Sequence, residues 1–397
     1  MLPDSRNSEY GVVCLKKNAL VIATIGAFIR SFEMNDISIL QDMGYTVHVA
    51  ANMHYSQYAF FDFESFFKER NITAHQISFE RYPFSKSNFK AKKQIQNIIT
   101  ENEISLVHCH TPVGGVIGRL AAKKFRKNGL KMIYTVHGLQ FYNGAPKKDW
   151  MLYYPVEKFL SRYADAMITI NLEDYETVKA KMKAEKVYYV PGIGVNYEKF
   201  NGTSVNRRQK RAELGINDDD IFLLSVGELN DNKNHRVVIN AISKLNNKRI
   251  KYIIAGVGPI KETLQSLIEE LGLGRQVFLA GQRRDVPELL KCADMFMFPS
   301  KREGLSVSLM EAMAGGVPVI CSKIRGNVDL IDGGKGGILC AADSEEDYVN
   351  AIKTLIDNEN LREEYVRYSD NKIKNFSLTV VDKKMRDIYS SVLENGR

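Results

Sequence analysis

Two glutamates eight residues apart, Glu303 and Glu311, lie on either side of the point where a helix is expected to begin. The apolar run MFMFPS before them predicts a strand, and LSVSLMEAMA after Gly304 predicts a helix that begins near Ser306 or Val307. The glycine pair and proline of AGGVP then end that helix. One carboxylate is therefore predicted in the loop before the helix and the other inside it.

A helix that begins at this position is suited to bind an anion. The backbone N–H groups of residues 305–308 would have no helical partners, and the helix dipole places partial positive charge there, which favours a diphosphate. Glu303 and Glu311 would repel phosphate, but they can accept hydrogen bonds from hydroxyl groups on either side of it, such as those of a sugar and a ribose. Spacing alone also allows a structural alternative, in which Glu303 complements the helix dipole and Glu311 is an ordinary solvated residue.

Short apolar runs alternate with longer amphipathic stretches along most of the chain. They form two series: NALVIAT, YTVHVAA, AHQISF, SLVHCH, KMIYTVH, ADAMITI and VYYVPG, followed by IFLLSVG, KYIIAG, QVFLAG, MFMFPS, VPVICS and GGILC. Continuous apolar strands separated by helices are typical of parallel sheets that are covered on both faces. The sequence therefore predicts an α/β protein with two doubly wound, Rossmann-like parallel sheets, and ligands at the carboxyl ends of their strands.

The chain of 397 residues predicts two domains, because single cores rarely grow beyond about 250–300 residues. The segment VPGIGVNYEKFNGTSVNRRQKR lacks periodicity and predicts a linker. We expect a polar N-terminal segment at 1–17, an N-terminal domain at 18–195, a C-terminal domain at 196–376, and a terminal helix at 377–397 that packs back on the N-terminal domain. The apolar positions of that helix are Val381, Met385, Ile388, Tyr389 and Val392.

The net charge of +8 arises mostly in residues 1–200, which hold 26 Lys and Arg against 19 Asp and Glu. Basic surfaces suit nucleic acid, anionic lipid or phosphorylated substrates, although a scattered solvated surface also produces them. No nucleic-acid-binding motif accompanies FKAKKQ or KKFRKNGLK, so we expect no nucleic-acid partner. Aromatic residues mixed with lysine in FFDFESFFKER, RYPFSKSNFKAKK and APKKDWMLYYPVEKF favour peripheral contact with an anionic membrane, with solvated surface and core aromatics as the alternative.

The five cysteines are widely spaced and form no C-x-x-C pair, which argues against a disulfide framework and against a zinc site. No apolar run reaches the ~18 residues that span a bilayer, and NALVIATIGAFI is interpreted as a buried strand rather than a signal peptide. We therefore expect a cytoplasmic protein. If it contacts lipid, it would do so at the inner face of the plasma membrane. The acidic run at 218–220 is expected to be a solvated turn, and His108 and His110 are expected to face opposite ways from one strand. We expect no metal and no cofactor.

Several segments of the second half together resemble one known family. REGLSVSLMEAMAGGVPVI resembles the E-x7-E segment of the retaining family-4 glycosyltransferases, and LLSVGELNDNKNHRVVINAI resembles their strand, glycine turn and lysine-bearing loop. YIIAGVGPIKETLQSLI, VFLAGQRRDVPELLKCADMFMFPS and CSKIRGNVDLI resemble their Gly-x-Gly-Pro turn, base-side loop and the segment after the helix. These matches cover residues 221–331 nearly without a gap. The resemblance, which extends to bacterial capsule and exopolysaccharide enzymes, implies the GT-B fold, with two Rossmann-like domains that face each other across a cleft.

The resemblance implies roles for the residues of a donor site. Glu311 would hold the ribose of the nucleotide, Glu303 would contact the hydroxyls of the donor sugar, and Lys233 would neutralise the donor diphosphate, as suits the point charge of a lysine. The remaining donor-binding residues that it implies are Gly227, Arg283, Gly304, Leu305 and Ser306.

The chain departs from the family pattern at Glu228, where the family usually has an arginine, so one expected phosphate partner is missing. Arg302 and Arg325 are alternatives for that role. In the first half, VIATIGAFIRSFEMNDISILQDMGYTVHVAAN resembles the first β-turn-α-β unit of the family, with Gly26 in the loop where the backbone approaches the donor phosphate. KMIYTVHGLQFY places His137 where the family has a histidine near the reacting centre.

The sequence and the resemblance together predict a glycosyltransferase of enzyme class 2.4. It would move a hexose-type sugar, with retention and without a metal, from a nucleotide diphosphate donor, expected to be UDP-linked, to a hydroxyl of a polysaccharide or polyprenyl-diphosphate-linked acceptor. His137, Glu303 and Lys233 are the expected catalytic residues. Two alternatives stay open: a nucleotide-sugar epimerase or hydrolase of the same fold, and a non-catalytic protein that binds glycan precursors or nucleic acid.

Overall fold

A computed structural model describes residues 17–55, 61–82 and 85–394 of the chain. The chain divides into two compact units, the first ending at Tyr134 and the second beginning at Thr135. This division falls within the strand Lys131–Val136. The sequence predicts a domain boundary at 195/196 instead, and that boundary stays a prediction. The predicted polar segment at 1–17 lies outside the described residues except for Lys17.

The strands form two parallel sheets. Within the described residues they are β1 (Asn18–Ile25), β2 (Thr46–Asn52), β3 (Ile72–Gln76), β4 (Leu106–Cys109), β5 (Lys131–Val136), β6 (Ala166–Thr169), β7 (Lys186–Tyr189), β8 (Ile221–Val226), β9 (Ile250–Ala255), β10 (Val277–Gly281), β11 (Met295–Phe298), β12 (Val319–Ser322) and β13 (Gly337–Cys340). The first sheet has the order β3-β2-β1-β4-β5-β6-β7, and the second has the order β10-β9-β8-β11-β12-β13. Both orders are those of a doubly wound sheet, so the predicted α/β fold is confirmed.

Helices connect the strands. Within the described residues they are α1 (Gly26–Phe28), α2 (Met34–Asp42), α3 (Phe63–Lys68), α4 (Lys86–Glu101), α5 (Pro112–Ala122), α6 (Lys147–Ser161), α7 (Leu172–Lys181), α8 (Tyr197–Asn201), α9 (Arg207–Glu213), α10 (His235–Leu245), α11 (Lys261–Glu270), α12 (Val286–Cys292), α13 (Val307–Ala314), α14 (Arg325–Ile331), α15 (Glu345–Asp357), α16 (Glu359–Ile373) and α17 (Leu378–Glu394). A π-helical turn at Ile29–Glu33 joins α1 to α2, and short 3₁₀ turns lie at Arg126–Asn128, Asp332–Gly334 and Lys374–Phe376.

The second sheet is buried on both faces, which explains why its strands are apolar at consecutive positions. Phe222 and Leu224 of β8 pack in one buried cluster with Phe296 of β11. Leu223, between them in the sequence, packs in a second cluster with Met295. Because successive side chains of a strand point to opposite faces, both faces of this sheet are covered.

The segment predicted as a linker contains two short helices, α8 and α9, and its role as a linker stays a prediction. Asparagine caps start both of them: the Asn196 side chain accepts a hydrogen bond from the Lys199 N–H at 3.0 Å, and Asn206 accepts one from the Gln209 N–H at 3.1 Å. The resulting helices, α8 and α9, are mostly polar and too short to show a clear apolar period.

The C-terminal helix α17 has the predicted apolar face. Its buried residues are Val381, Met385, Ile388, Tyr389 and Val392. The helix contacts β7, because Lys186 Nζ donates hydrogen bonds to Ser391 Oγ at 2.7 Å and to its carbonyl oxygen at 3.1 Å. No helix among the described residues is both long enough and apolar enough to cross a lipid bilayer.

Candidate functional site

The loop between β11 and α13 carries the first of the two glutamates. Helix α13 begins at Val307, and the Ser306 side chain caps it by accepting a hydrogen bond from the Leu309 N–H at 3.4 Å. The predicted helix start is therefore confirmed. Glu303 lies in the loop, and Glu311 is the fifth residue of the helix.

Buried side chains hold the start of this loop against the end of β12. Ser300 is fully buried, and its carbonyl oxygen accepts a short hydrogen bond from the Ser322 hydroxyl. Asn327 Nδ2 in turn donates to the Ser322 carbonyl oxygen at 2.9 Å. These two buried hydrogen bonds fix the direction in which the loop leaves the sheet, although Ser300 Oγ and Asn327 Oδ1 are buried without a hydrogen-bond partner in the part of the chain that the structure describes.

A second loop, between β8 and α10, is joined to the first by two hydrogen bonds. The Lys301 N–H donates to the Asn232 carbonyl oxygen at 2.8 Å, and Asn232 Nδ2 donates to the Arg302 carbonyl oxygen at 2.9 Å. The two loops follow β8 and β11, which are neighbours in the sheet, so their carboxyl ends meet at the same edge.

This joining of loops brings Lys233 and Glu303 together. Lys233 Nζ lies 2.7 Å from Glu303 Oε1 and 4.9 Å from the centroid of the Phe298 ring. The two paired side chains are 19% and 17% exposed, so the pair is largely shielded but can be reached from solvent. An ammonium and a carboxylate, 70 residues apart in sequence, thus form one charged group beside the start of α13.

Glycines allow the backbone at this edge to pack closely. A Cβ on Gly256 would lie 1.8 Å from the carbonyl oxygen of Gly227, and one on Gly258 would lie 2.3 Å from that of Leu229. Gly227 itself leaves room, because its added Cβ would lie 3.5 Å from the Lys233 side chain. The Gly-x-Gly turn therefore serves close backbone packing, and the structure gives no steric reason for glycine at 227.

The carboxyl group of Glu311 has a strongly raised pKa. The side chain is half-buried, and burial raises its pKa from 4.5 to about 7, although the nearby charge of Lys199 opposes the shift. Burial disfavours the charged form of a carboxyl group that lacks strong hydrogen-bond donors. A ligand that donated hydrogen bonds to this carboxylate would lower the pKa again.

His137 directly follows β5 and is half-buried. Its backbone lies against the loop of the first glutamate, because a Cβ on Gly304 would lie 2.0 Å from the His137 carbonyl oxygen. A Cβ on Gly326 would in turn lie 2.2 Å from the carbonyl oxygen of Gly304. Gly304 is thus packed between two backbone segments, and the structure brings the histidine loop and the Glu303 loop into contact.

Arg325 and Asp174 form a buried ion pair beside these loops, and the sequence analysis did not predict this pairing. Arg325 Nη1 lies 2.7 Å from Asp174 Oδ1, and the two side chains are 5% and 1% exposed. Arg325 also donates to the carbonyl oxygens of Leu139 at 2.9 Å and Glu303 at 3.3 Å. The Leu139 N–H donates to Asp174 Oδ2 at 3.1 Å. Arg325 therefore ties the loop after His137 to the Glu303 loop, and its donors are engaged within the protein rather than offered to a phosphate.

Three other residues that the sequence analysis names have partners of their own. Arg283 forms a bidentate pair with Asp285, at 2.8 and 2.5 Å, which holds the pKa of that carboxyl well below its usual value. Glu228 is exposed and accepts a hydrogen bond from Asn230 Nδ2 at 3.0 Å. Arg302 is exposed and donates to Gln140 Oε1 at 2.8 Å. The donor-binding role of Arg283 stays a prediction.

Gly26 belongs to the first unit, where it begins α1 directly after β1. The space beside it is filled, because an added Cβ would lie 2.6 Å from Met53 Sδ and 3.3 Å from the Phe63 ring. A larger residue here would have to displace the Met53 side chain and press on the Phe63 ring, so packing within the first unit favours glycine, and its predicted approach to a phosphate stays a prediction.

The prediction that His108 and His110 face opposite ways is wrong. Their ring centroids lie 4.1 Å apart, and strand geometry accounts for this, because residues two apart along a strand point to the same face. His110 Nδ1 lies 3.1 Å from Glu33 Oε2, and His108 Nδ1 lies 3.8 Å from Asp36 Oδ2. Donor atoms of Asp36 and the two histidines lie within 4.8 Å of one another, which would suffice for a metal ion, so the expected absence of a metal stays a prediction.

Family comparison matches both halves of the chain. Residues 22–171 match the model of the 4-like glycosyl transferases, and residues 206–372 match that of the group 1 glycosyl transferases. The second match contains Lys233, Glu303 and Glu311, and the first contains Gly26 and His137.

Two relatives are similar over most of their length. EpsD of Bacillus subtilis (strain 168), whose name assigns it to the glycosyltransferases only provisionally, is 35% identical over 96% of this chain and 98% of its own. The UDP-Gal:alpha-D-GlcNAc-diphosphoundecaprenol alpha-1,3-galactosyltransferase of Escherichia coli is 27% identical over 78% of this chain and 81% of its own.

The fold is also shared with solved structures. The crystal structure of Anabaena Alr3699/HepE in complex with UDP and glucose has a TM-score of 0.76 to this chain, with 18% identity over 94% of this chain and all of its own. At that identity the likeness shows the fold alone. Taken with the family matches, it leads to one conclusion: the chain is a glycosyltransferase of the GT-B fold and belongs to the group 1, family-4-like glycosyltransferases.

Proposed function

We propose that this enzyme transfers a hexose-type sugar, with retention of configuration, from a UDP-linked donor to a hydroxyl of a lipid-linked or polysaccharide acceptor in bacterial surface glycan biosynthesis. One observation carries the proposal: the Lys233–Glu303 pair, 2.7 Å apart, lies in the loops beside the Ser306-capped start of α13, and Glu311 follows inside that helix. This arrangement offers a positive charge, free helical N–H groups and two carboxylates together.

Each part suits one portion of a nucleotide sugar. The N–H groups at the start of α13 and the ammonium of Lys233 would stabilise the diphosphate. Glu303 would accept hydrogen bonds from sugar hydroxyls, and Glu311 would accept them from the ribose. Since negative charge grows on the diphosphate as it departs, the N–H groups and the Lys233 ammonium would bind the transition state more strongly than the ground state.

The proposed reaction needs no side-chain nucleophile. The bond between the anomeric carbon and the diphosphate oxygen breaks, and the acceptor oxygen bonds to the same face of that carbon. The acceptor proton passes to the leaving diphosphate, so the products are the glycosylated acceptor and a nucleoside diphosphate. His137 and Glu303 would line the reacting centre and orient the two substrates. The metal-independent form of this step is part of the proposal, and EDTA should leave turnover unchanged.

The choice of substrates is supported by what related proteins are named for. The Escherichia coli relative takes UDP-Gal and acts on a diphosphoundecaprenol-linked sugar. The HepE structure contains UDP and glucose. We extend the UDP donor and the lipid-linked acceptor to this chain, and we place it in the cytoplasm at the inner face of the plasma membrane. The four described cysteines are free and buried, which is compatible with that compartment.

A thermal-shift panel of nucleotide sugars tests the donor. A ligand present at 100 times its dissociation constant stabilises a protein by about 2.7 kcal/mol, so the right donor should stand out among UDP-, GDP- and dTDP-sugars. The Glu311→Gln variant should lose about half of this stabilisation or more, since tenfold weaker binding leaves about 1.4 kcal/mol at the same ligand concentration. The matched control Glu270→Gln changes an exposed glutamate at the end of α11 and should keep it. A panel in which no UDP-sugar stabilises the wild-type protein would rule out the proposed donor.

Product analysis distinguishes sugar transfer to an acceptor from epimerisation or hydrolysis of the donor. With a polyprenyl-diphosphate-linked sugar present, a transferase releases UDP and adds one sugar to the lipid, and NMR of the product gives the anomeric configuration. An epimerase or hydrolase would consume the donor stoichiometrically without any acceptor. The second result, or an inverted linkage, would contradict the proposal.

A further inference from the structure

Helix α6 (Lys147–Ser161) presents an apolar face to solvent. Met151 is 74% exposed, Leu152 46%, Val156 41% and Phe159 48%. At 100° per residue these four positions fall within an arc of about 140°, which is one side of a helix. Large apolar side chains gathered on one helical face, rather than scattered singly, mark a surface that binds something.

The opposite side of α6 is anchored in the second unit. Leu160 is buried, and the Trp150 and Tyr154 rings pack against Phe141 with centroids 5.3 and 5.5 Å away. Trp150 Nε1 also donates to the Tyr142 carbonyl oxygen at 3.2 Å. The apolar face is therefore carried by a helix whose orientation is fixed by aromatic packing.

Positive charges border this face at both ends of the helix. Lys147 and Lys148 are exposed at its start, and Lys158 and Arg162 lie at its end. The Arg162 guanidinium lies 4.5 Å from the centroid of the exposed Phe159 ring. The acidic residues are fewer, and one of them, Glu157, is buried on the opposite side. The border thus has the charge that complements an anionic surface.

We propose that the apolar face of α6 docks on an anionic lipid bilayer. The helix would lie parallel to the membrane, with Met151, Leu152, Val156 and Phe159 below the headgroups and the lysines and Arg162 at the lipid phosphates. The apolar centre and the cationic border of this face together fit an anionic bilayer better than they fit a neutral protein surface. The inference extends the proposed function, since a lipid-linked acceptor would be presented at the same surface. Four side chains give shallow and reversible binding.

Vesicle sedimentation tests the inference on the full chain. Wild-type protein should bind vesicles of phosphatidylglycerol and phosphatidylcholine, bind pure phosphatidylcholine weakly, and release as salt is raised. Phe159→Ser should weaken binding about tenfold or more, because one large apolar contact is lost. The matched control Phe278→Ser removes an exposed phenylalanine of β10 and should bind like wild type. A Lys147→Gln, Lys148→Gln double variant should bind anionic vesicles less and show a weaker salt dependence.

Two readouts keep this inference separate from the proposed function. UDP-induced thermal stabilisation should be the same in wild type and both phenylalanine variants, which also shows that they are folded. Vesicle binding without any response to UDP would contradict the proposed function and leave the inference standing. Wild-type protein that ignores anionic vesicles would overturn the inference. So would equal losses in the Phe159 and Phe278 variants, or a dimer in sedimentation that Phe159→Ser dissociates, because the face would then bind a second copy.

Discussion

Replacing Glu311 by glutamine is expected to stabilise the ligand-free enzyme and to weaken its binding of nucleotide. The reason lies in the pKa of Glu311, which burial raises from 4.5 to about 7. Between about pH 4.5 and 7 the folded state holds a proton that the unfolded state has released, so the free energy of unfolding falls as pH rises through this window. Above pH 7 the folded chain carries a half-buried carboxylate that costs stability.

The size of the effect follows from the shift. One pKa unit corresponds to about 1.4 kcal/mol, so a shift from 4.5 to about 7 costs about 3 kcal/mol at pH 8. Glutamine has a similar shape and no charge, and it avoids that cost. Glu311→Gln should therefore gain up to about 3 kcal/mol in unfolding free energy at pH 8 and little at pH 4.5, where the folded wild-type carboxyl is protonated and the unfolded one is about half protonated.

Urea unfolding monitored by tryptophan fluorescence measures this directly. The chain has one tryptophan, Trp150, and it lies in the second unit together with Glu311, so its emission reports on the relevant unit. Glu270→Gln, at an exposed position of α11, is the control and should show no gain that depends on pH. A Glu311→Gln variant that is no more stable at pH 8, or that gains equal stability at both pH values, would show that the buried charge of Glu311 does not destabilise the folded state.

The same Glu311→Gln change is expected to weaken nucleotide binding although it stabilises the fold. If the Glu311 carboxylate accepts hydrogen bonds from the ribose, glutamine should weaken UDP binding about tenfold or more, because hydrogen bonds to a charged acceptor are worth about 1.5–3 kcal/mol each. Wild-type affinity for a UDP-sugar should also fall as pH drops from 8 to 6, while the variant should respond less. Calorimetric titration at both pH values checks this, and equal affinities in the two proteins would remove Glu311 from the site.

Three further changes test the surrounding geometry. Lys233→Ala should lower kcat by about 10²–10³, as loss of one preorganised charge partner does, which steady-state assays of UDP release would measure. Asp174→Asn leaves Arg325 buried without its anion and should cost about 3–5 kcal/mol in urea unfolding, so retained stability would contradict the burial of this pair. Gly304→Ala places a Cβ 2.0 Å from a carbonyl oxygen of the facing loop and should lower kcat about 100-fold, whereas Gly274→Ala, which meets nothing within 4 Å, should be neutral.

The sheets and the α13 loop could be predicted from sequence because their determinants are local. A strand that is buried on both faces, such as β11, must be apolar at every position, and MFMF shows this without any knowledge of its neighbours. The start of α13 is equally local, since Ser306 caps the helix from within its own loop. The resemblance then identified Lys233 and Glu303, and the structure pairs them across 70 residues.

Features that depend on distant partners could not be predicted in this way. Asp174 and Arg325 are 151 residues apart, and neither stands in a pattern that marks it as buried. The assignment of His108 and His110 to opposite faces was wrong for a different reason: residues two apart along a strand share a face, so alternation itself places the two rings together. The helix caps in the supposed linker were visible as asparagines, but a cap predicts a helix only where an apolar period follows it.

On the proposed function, the Lys233–Glu303 ion pair would couple recognition of the donor sugar to recognition of its diphosphate. Glu228 stands where the family usually has an arginine, Arg325 is engaged by Asp174, and Arg302 donates to Gln140, whereas Lys233 is paired with Glu303 itself. On the proposed function, a diphosphate that takes Lys233 leaves Glu303 next to added negative charge. UDP alone offers that carboxylate no sugar hydroxyl, whereas an intact UDP-sugar does. The exchange of partners at Glu303 would therefore favour the intact donor over the spent nucleotide, and it would help UDP to leave once the sugar has been transferred.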